Sequence, residues 1–230
     1  MASLVIDRVE KIRLLIDRTT QRLMGKVYQR VGRISEKYRP FTPVLATPES
    51  GSFILRIRLG RSEIAEIPLF PTASKVIEDI IAGIYLINES DEAGLQKMLG
   101  KEGYYKNFLA MARDLAPDGE KISSVDFISK KRVVSLSRPR KDIDISPQID
   151  SSAEKDQYES ISVEGELDFA TKRKGTMVGL TTEDGREYNI VIEEGLDDLV
   201  RSYYGRFVGV SGSFDKVSRY IHPSDIHLAE

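Results

Sequence analysis

Residues 161–169 have the sequence Ile-Ser-Val-Glu-Gly-Glu-Leu-Asp-Phe, and this stretch decides the fold. Apolar and polar side chains alternate along it, which is the period-two pattern of a strand with one buried face. Gly165 lies in the middle of the apolar phase, where a small barrel must bend its strand sharply. The pattern therefore predicts a long, bent first strand in a small β-barrel.

The same kind of alternation continues to the end of the chain. Further elements are predicted as strands at 176–181, 186–193, 206–214 and 219–228, with a short helix at 195–204. Three meandering strands, a helix and two more strands is the order of the OB-fold, so residues 158–230 resemble an OB-fold over about a third of the chain. An SH3-like barrel and a split two-sheet roll remain open as alternatives. OB-folds bind nucleic acids, sugars or proteins, so the resemblance alone selects no ligand.

The preceding residues have a mixed pattern. We predict an α+β domain at 1–137, with these parts: a helical segment at 4–38 that breaks near Gly25, a hairpin at 43–59, three helices within 73–115 and strands within 122–136. Residues 138–157 are charged, contain Pro and Ser and show no period, which predicts a linker between this domain and the barrel. The expected fold class is α+β with two domains.

Composition favours a cytoplasmic protein. The 230 residues include no cysteine, so neither a disulfide framework nor a thiolate metal site can form. The charged Asp7 and Arg8 prevent a secretory apolar core near the amino end. The longest apolar run, residues 80–87, is far shorter than the roughly 20 residues of a membrane span. We therefore expect no membrane association.

The residues indicate no catalytic or cofactor site. Ser213 and Lys216 have the SxxK spacing of some serine acylases, but there the lysine follows the serine by one helical turn, whereas this pair closes a strand. His222 and His227 are five residues apart on one predicted strand, so they are expected to face opposite sides and not to form a metal pair. We expect a non-catalytic protein without a metal or cofactor.

Two groups of cations are the candidate contact residues. The amino-terminal helix has a basic stripe beside its apolar seam, which includes Arg18, Arg22 and Arg30. The barrel concentrates its cations in the two loops that border the usual OB-fold ligand groove: Lys172, Arg173 and Lys174 in one, Lys216 and Arg219 in the other. Either group could contact phosphates or an acidic partner.

These observations favour an intracellular adaptor protein in a macromolecular assembly, with a protein partner. The alternative is a nucleic-acid-binding protein that contacts mainly phosphate, because the pattern provides cations but no exposed aromatic platforms. The length of the predicted amino-terminal helix also suggests that two copies of the chain associate through its apolar seam.

Overall fold

The structure is a computed structural model, and it describes residues 2–30, 41–45, 57–61, 71–100, 102–119, 122, 124–129, 132–145, 158–168 and 177–229. A helical amino-terminal region is followed by a closed β-barrel. The α+β class and the two-region architecture expected from the sequence are therefore confirmed.

Helices dominate the amino-terminal region. They are α1 (Ala2–Leu23), α2 (Ala73–Asn88), α3 (Glu92–Leu99) and α4 (Glu102–Leu115). The side chain of Thr72 caps α2 by accepting a hydrogen bond from the Lys75 amide at 3.2 Å, and Asp91 caps α3 from the Gly94 amide at 2.8 Å. Because α2 to α4 have wide apolar stripes, they bury one face each in a common core.

Helix α1 is shorter than the segment 4–38 predicted from the sequence. It ends at Leu23, and Gly25 follows with φ of 68°, the left-handed conformation in which glycine commonly ends a helix. Residues 26–30 are not helical. Residues 31–38 lie outside the described part of the chain. The break expected near Gly25 therefore occurs, and helix does not resume directly after it.

Two small hairpins accompany the helices. Strands β1 (Phe41–Leu45) and β2 (Ile57–Arg61) pair antiparallel. Strands β3 (Val125–Ile128) and β4 (Val133–Leu136) form the second antiparallel pair. Asn88 at the end of α2 holds this second hairpin, because its amide nitrogen donates to the Ser135 carbonyl at 2.6 Å.

The carboxy-terminal strands close into a barrel. They are β5 (Tyr158–Asp168), β6 (Met177–Thr181), β7 (Glu187–Val191), β8 (Phe207–Asp215) and β9 (Tyr220–Leu228), with helix α5 (Asp197–Ser202) between β7 and β8. Their order around the barrel is β5-β6-β7-β9-β8, with β7 and β9 parallel and the other neighbours antiparallel. This mixed, closed five-stranded barrel is compatible with an OB-like barrel.

The two regions share one continuous hydrophobic core. Helix α5 of the barrel packs against α4 and α1, and buried side chains of both regions are in contact. A short 3₁₀ helix, Arg140–Asp142, leads into Ile143 and Ile145, which are 1% and 4% exposed. Residues 138–145 of the predicted linker are thus packed against the fold because two isoleucines anchor them. Residues 146–157 lie outside the described part, and the division into independent domains remains a prediction.

Helix α1 is buried within its own chain. Every residue from Leu15 to Gln21 is buried, because α2, α4 and α5 all contact this helix. The apolar seam that suggested self-association is used inside the monomer at Leu15 and Ile16. None of the described helices combines the length and apolar character needed to cross a membrane.

Candidate functional site

Arg18, a predicted contact residue, is buried at the junction of the two regions. Its side chain is 4% exposed, and its Nε and Nη2 atoms donate to the two carboxylate oxygens of Asp198 at 2.6 and 3.0 Å. The guanidinium also stacks over the ring of Tyr28, 4.5 Å from the ring centroid. Desolvation disfavours the charge, but the hydrogen bonds and charge of Asp198 outweigh it and raise the pKa of Arg18. Arg18 therefore joins α1 to α5 and is not available to a ligand.

The other two arginines of the basic stripe are also bound within the chain. Arg22 donates to the Met98 carbonyl at 2.9 Å and forms an ion pair with Asp79. The Nε atom of Arg30 lies 3.4 Å from Oδ1 of Asp197, and its Nη2 atom donates a hydrogen bond to the Ile192 carbonyl of the barrel region. Acidic and carbonyl groups far along the chain thus already bind the charges of these arginines, and contact of the basic stripe with phosphates or an acidic partner stays a prediction.

Of the barrel cations, Lys216 and Arg219 lie on the surface, in the turn between β8 and β9. Lys216 is 3.6 Å from Glu159, and both side chains are more than half exposed, so solvent screens this pair. Arg219 has a φ of 61°, which the turn requires. Lys172, Arg173 and Lys174 lie outside the described residues.

A second buried polar cluster lies where α1 meets α5. The ammonium group of Lys11 is 2.8 Å from Asp114, contacts the hydroxyl of Ser202 and lies 4.1 Å from the ring centroid of Tyr203. Burial lowers the pKa of Lys11, while the charge of Asp114 opposes this shift. Lys11 is 2% exposed, and the concavities described on this structure do not open onto it. The cluster therefore joins the two regions, as Arg18 does.

The two histidines of β9 share one face of the barrel, contrary to the expectation from their spacing. Ser213 pairs with His222 and Gly209 with His227, and residues 209 and 213 of β8 are on one face. A β-bulge at Ser224 adds one residue to β9 and so reverses the predicted alternation. Within the described residues, no group of three or more His, Asp or Glu side chains is arranged to hold a metal ion.

An open groove of about 350 Å³ lies on the barrel, and we name it the acidic groove. Its apolar floor consists of Val163, Tyr188 and Phe207. Phe207 is 36% exposed, and the Tyr188 ring packs edge-on against Phe214 with 6.4 Å between centroids. The groove thus offers aromatic surface that solvent can reach.

Carboxylates dominate the polar part of the acidic groove. Glu164, Glu183 and Asp184 are exposed there, while Thr182 and Arg186 complete the lining. Arg186 is 3.0 Å from Asp184, so one carboxylate already neutralises the groove's cation. The Thr182 hydroxyl donates a hydrogen bond to Asp184, which lowers the pKa of that carboxyl.

The groove lies beside Gly165, where β5 approaches β6 closely and the described ladder between them ends. A Cβ there would lie 2.4 Å from the Thr181 carbonyl oxygen, so a side chain would push β6 away. The ladder between β5 and β6 covers only residues 166–168 of β5, whereas the ladder with β8 extends over residues 158–166. Among the described residues, the side of β5 at 158–165 that faces away from β8 has no strand partner. We name this side the free edge.

Sequence reasoning predicted the acidic outer residues of β5 but missed the acidic groove. Phe207 directly follows the predicted start of its strand, and its exposure depends on the pairing with Glu166 across β8 and β5. Tyr188 alternates in phase with inward residues, yet it is only half-buried and lines the groove. Gly165, which lies in the apolar phase of β5, was the sequence signal that pointed to the acidic groove.

The comparisons with known proteins identify no relative: no family model, no curated protein and no solved structure matches this chain.

Proposed function

We propose that this chain is a non-catalytic binding protein whose OB-like barrel docks a partner protein in the acidic groove. The observation that carries the proposal is the combination of exposed aromatic side chains with a surplus of carboxylates in one open concavity. Aromatic residues are enriched in protein interfaces, and a charged rim steers the partner and selects against others. The helical region then acts as a rigid base, because α1 and α4 are fixed to the barrel through α5.

An adaptor role in a cytoplasmic assembly agrees with this proposal. The complete absence of cysteine suits a reducing compartment. Carboxylates repel phosphate groups, and the helix arginines that suggested a phosphate surface are paired inside the chain. The electrostatics of the described surface therefore favour a protein partner over DNA or RNA.

The test is site-specific photo-crosslinking in the cells that produce the protein. A photoreactive amino acid replaces Arg186 in the acidic groove, and in the control chain it replaces Lys75 on α2; both side chains are more than half exposed. We expect a discrete protein adduct from position 186 that is absent from position 75 and that Glu164→Lys with Glu183→Lys abolishes. Identical adducts from both positions, or adducts with nucleic acid from position 186, would contradict the proposal.

A further inference from the structure

We infer that the free edge of β5 receives an extended, lysine- or arginine-containing segment of the partner, which adds to the barrel as an extra strand. This inference rests on the proposed function and specifies how the acidic groove recognises its partner. It commits to a heterologous protein segment with positive side chains.

The backbone supplies the first part of the argument. Strand β5 is eleven residues long, yet its ladder with β6 ends at the pair Glu166–Thr181. Beyond this pair the described ladder with β6 does not continue, and residues 182–184 of the β6–β7 turn line the acidic groove together with Val163 and Glu164. An unpaired strand edge offers a row of backbone N–H and C=O groups, and an extended peptide binds such an edge through main-chain hydrogen bonds.

The side chains supply the second part. Glu164 is exposed on the free edge, and Glu183 and Asp184 line the same groove from the β6–β7 turn. A lysine or arginine in the added strand would place its charge between these carboxylates. Its aliphatic stem would pack on the exposed ring surfaces of the groove, as long cationic side chains do on apolar surface.

The same charges argue against a second copy of this chain as the occupant. In registers that place Glu159 or Glu164 of one free edge opposite a glutamate of the other, two copies would bring like charges together, and like charges that face each other across strands are destabilising. A strand with basic side chains removes this repulsion and gains the opposite interaction.

The experiment begins with selection of random twelve-residue peptides on the immobilised full chain. We expect the selected peptides to be enriched in Lys and Arg at alternate positions. Their affinity should fall at least tenfold for Glu164→Lys with Glu183→Lys. It should stay within twofold for the control pair Glu89→Lys with Asp126→Lys, which makes the same change of net charge at exposed sites outside the groove.

N-methylation of the selected peptide then tests the strand addition itself. Methylating one set of alternate amides should reduce affinity at least tenfold, while methylating the other set should leave it within threefold, because only one edge of the peptide faces β5. Equal tolerance of both sets would overturn strand addition even if the groove binds the peptide. Selected peptides without basic enrichment would overturn the inference as well.

Sedimentation of the chain without peptide tests whether a second copy of the chain occupies the free edge. We expect no dimer that depends on the groove. A dimer that dissociates in the Glu164→Lys, Glu183→Lys double variant would assign the free edge to self-association and overturn the inference. Failure of the proposed function has a different signature, namely a crosslinking pattern in cells that does not depend on the groove. The two failures are therefore distinguishable.

Discussion

The carboxylate of Asp198 receives two hydrogen bonds from the guanidinium of Arg18, across 180 residues of sequence. The amide of Asn107 on α4 adds a third hydrogen bond to the same carboxylate at 3.0 Å. One buried acid thus joins α1, α4 and α5, and with them the helical region and the barrel. The contact between the two regions is built on ions as well as on apolar side chains.

Breaking this buried pair should strongly destabilise the protein. We expect Arg18→Ala and Asp198→Ala each to lower the free energy of unfolding by about 3–5 kcal/mol, because each leaves an uncompensated buried charge. The measurement is urea unfolding followed by circular dichroism. The control is Glu10→Ala, which removes a partly exposed pair with Arg13 and should cost less than about 1 kcal/mol. Equal effects from both pairs would show that Arg18 is not buried.

Acid should remove the stabilisation that Asp225 provides. Burial opposes ionisation of Asp225, but its hydrogen bond with His227 and the charge of Arg113 at 2.9 Å prevail and hold its pKa below the ordinary value of 3.8. The unfolded chain therefore takes up this proton first as the pH falls. The contribution is fully present above 3.8 and is lost as the pH falls through the lower folded pKa.

We expect Asp225→Asn to cost about 1.5–3 kcal/mol of unfolding free energy at pH 7, because Arg113 loses a charged partner. The difference from the wild type should shrink at about pH 3, where the wild type has begun to lose the same contribution. Unfolding curves of both proteins at the two pH values test this. A constant or growing difference toward acid would contradict the assigned pKa direction.

The close approach of β5 to β6 at Gly165 should leave no room for a side chain. We expect Gly165→Val to lower the free energy of unfolding by about 1–3 kcal/mol, because its Cβ would overlap the Thr181 carbonyl and force β6 to shift. Ser162→Ala on the same strand is the control; it removes an exposed hydroxyl contact of 3.2 Å and should stay within about 0.5 kcal/mol. A fully stable Gly165→Val variant would mean that β5 does not approach β6 closely at this position.

Mild trypsin treatment should cleave after Lys155 before it cleaves after Arg140 or Lys141. Lys155 lies in the charged, aperiodic stretch of the sequence. By contrast, the Arg140 amide donates a hydrogen bond to the Pro117 carbonyl at 3.1 Å, and Ile143 and Ile145 are buried. Mass spectrometry of the earliest fragments measures the order. First cleavage at Lys141 would show that residues 138–145 detach readily.

Oligonucleotides should not bind to this protein even at low ionic strength, which favours electrostatic binding most. We expect no association of labelled single- or double-stranded 20-mers with micromolar protein at about 50 mM salt, because the described cations of α1 are paired internally. The variant with Lys172, Arg173 and Lys174 changed to Ala then serves as the comparison. Binding by the wild type that this variant loses would favour the nucleic-acid alternative.

The barrel was predictable from the sequence because its information is local. Alternation along β5 and the Asp184-Gly185 turn specify strands and a hairpin without reference to distant residues. The helix bounds were predictable for the same reason, since apolar stripes and caps act over a few residues. The end of α1 was harder to predict, because several apolar residues continue the helical period beyond Gly25.

The roles of the charged residues were not predictable, because they depend on partners far along the chain. The spacing of Arg18 and Arg22 is that of a solvated basic face, and only their contacts with Asp198 and Asp79 show that the helix is central. The β-bulge at Ser224 likewise has no signal in the spacing of the histidines. The acidic groove results from where a ladder stops, which pairing determines and composition does not.

The position of α1 at the centre of the structure has a consequence for how the chain acquires it. A ribosome adds about 5–20 residues per second, so Arg18 is made roughly 10–40 s before Asp198. During this interval the helix has neither its acid nor the barrel surface that completes its burial, and it cannot reach its final environment. Helix α1 is therefore fixed in place only after α5 has been made, and until then Leu15 and Arg18 lack contacts that they have in the folded chain.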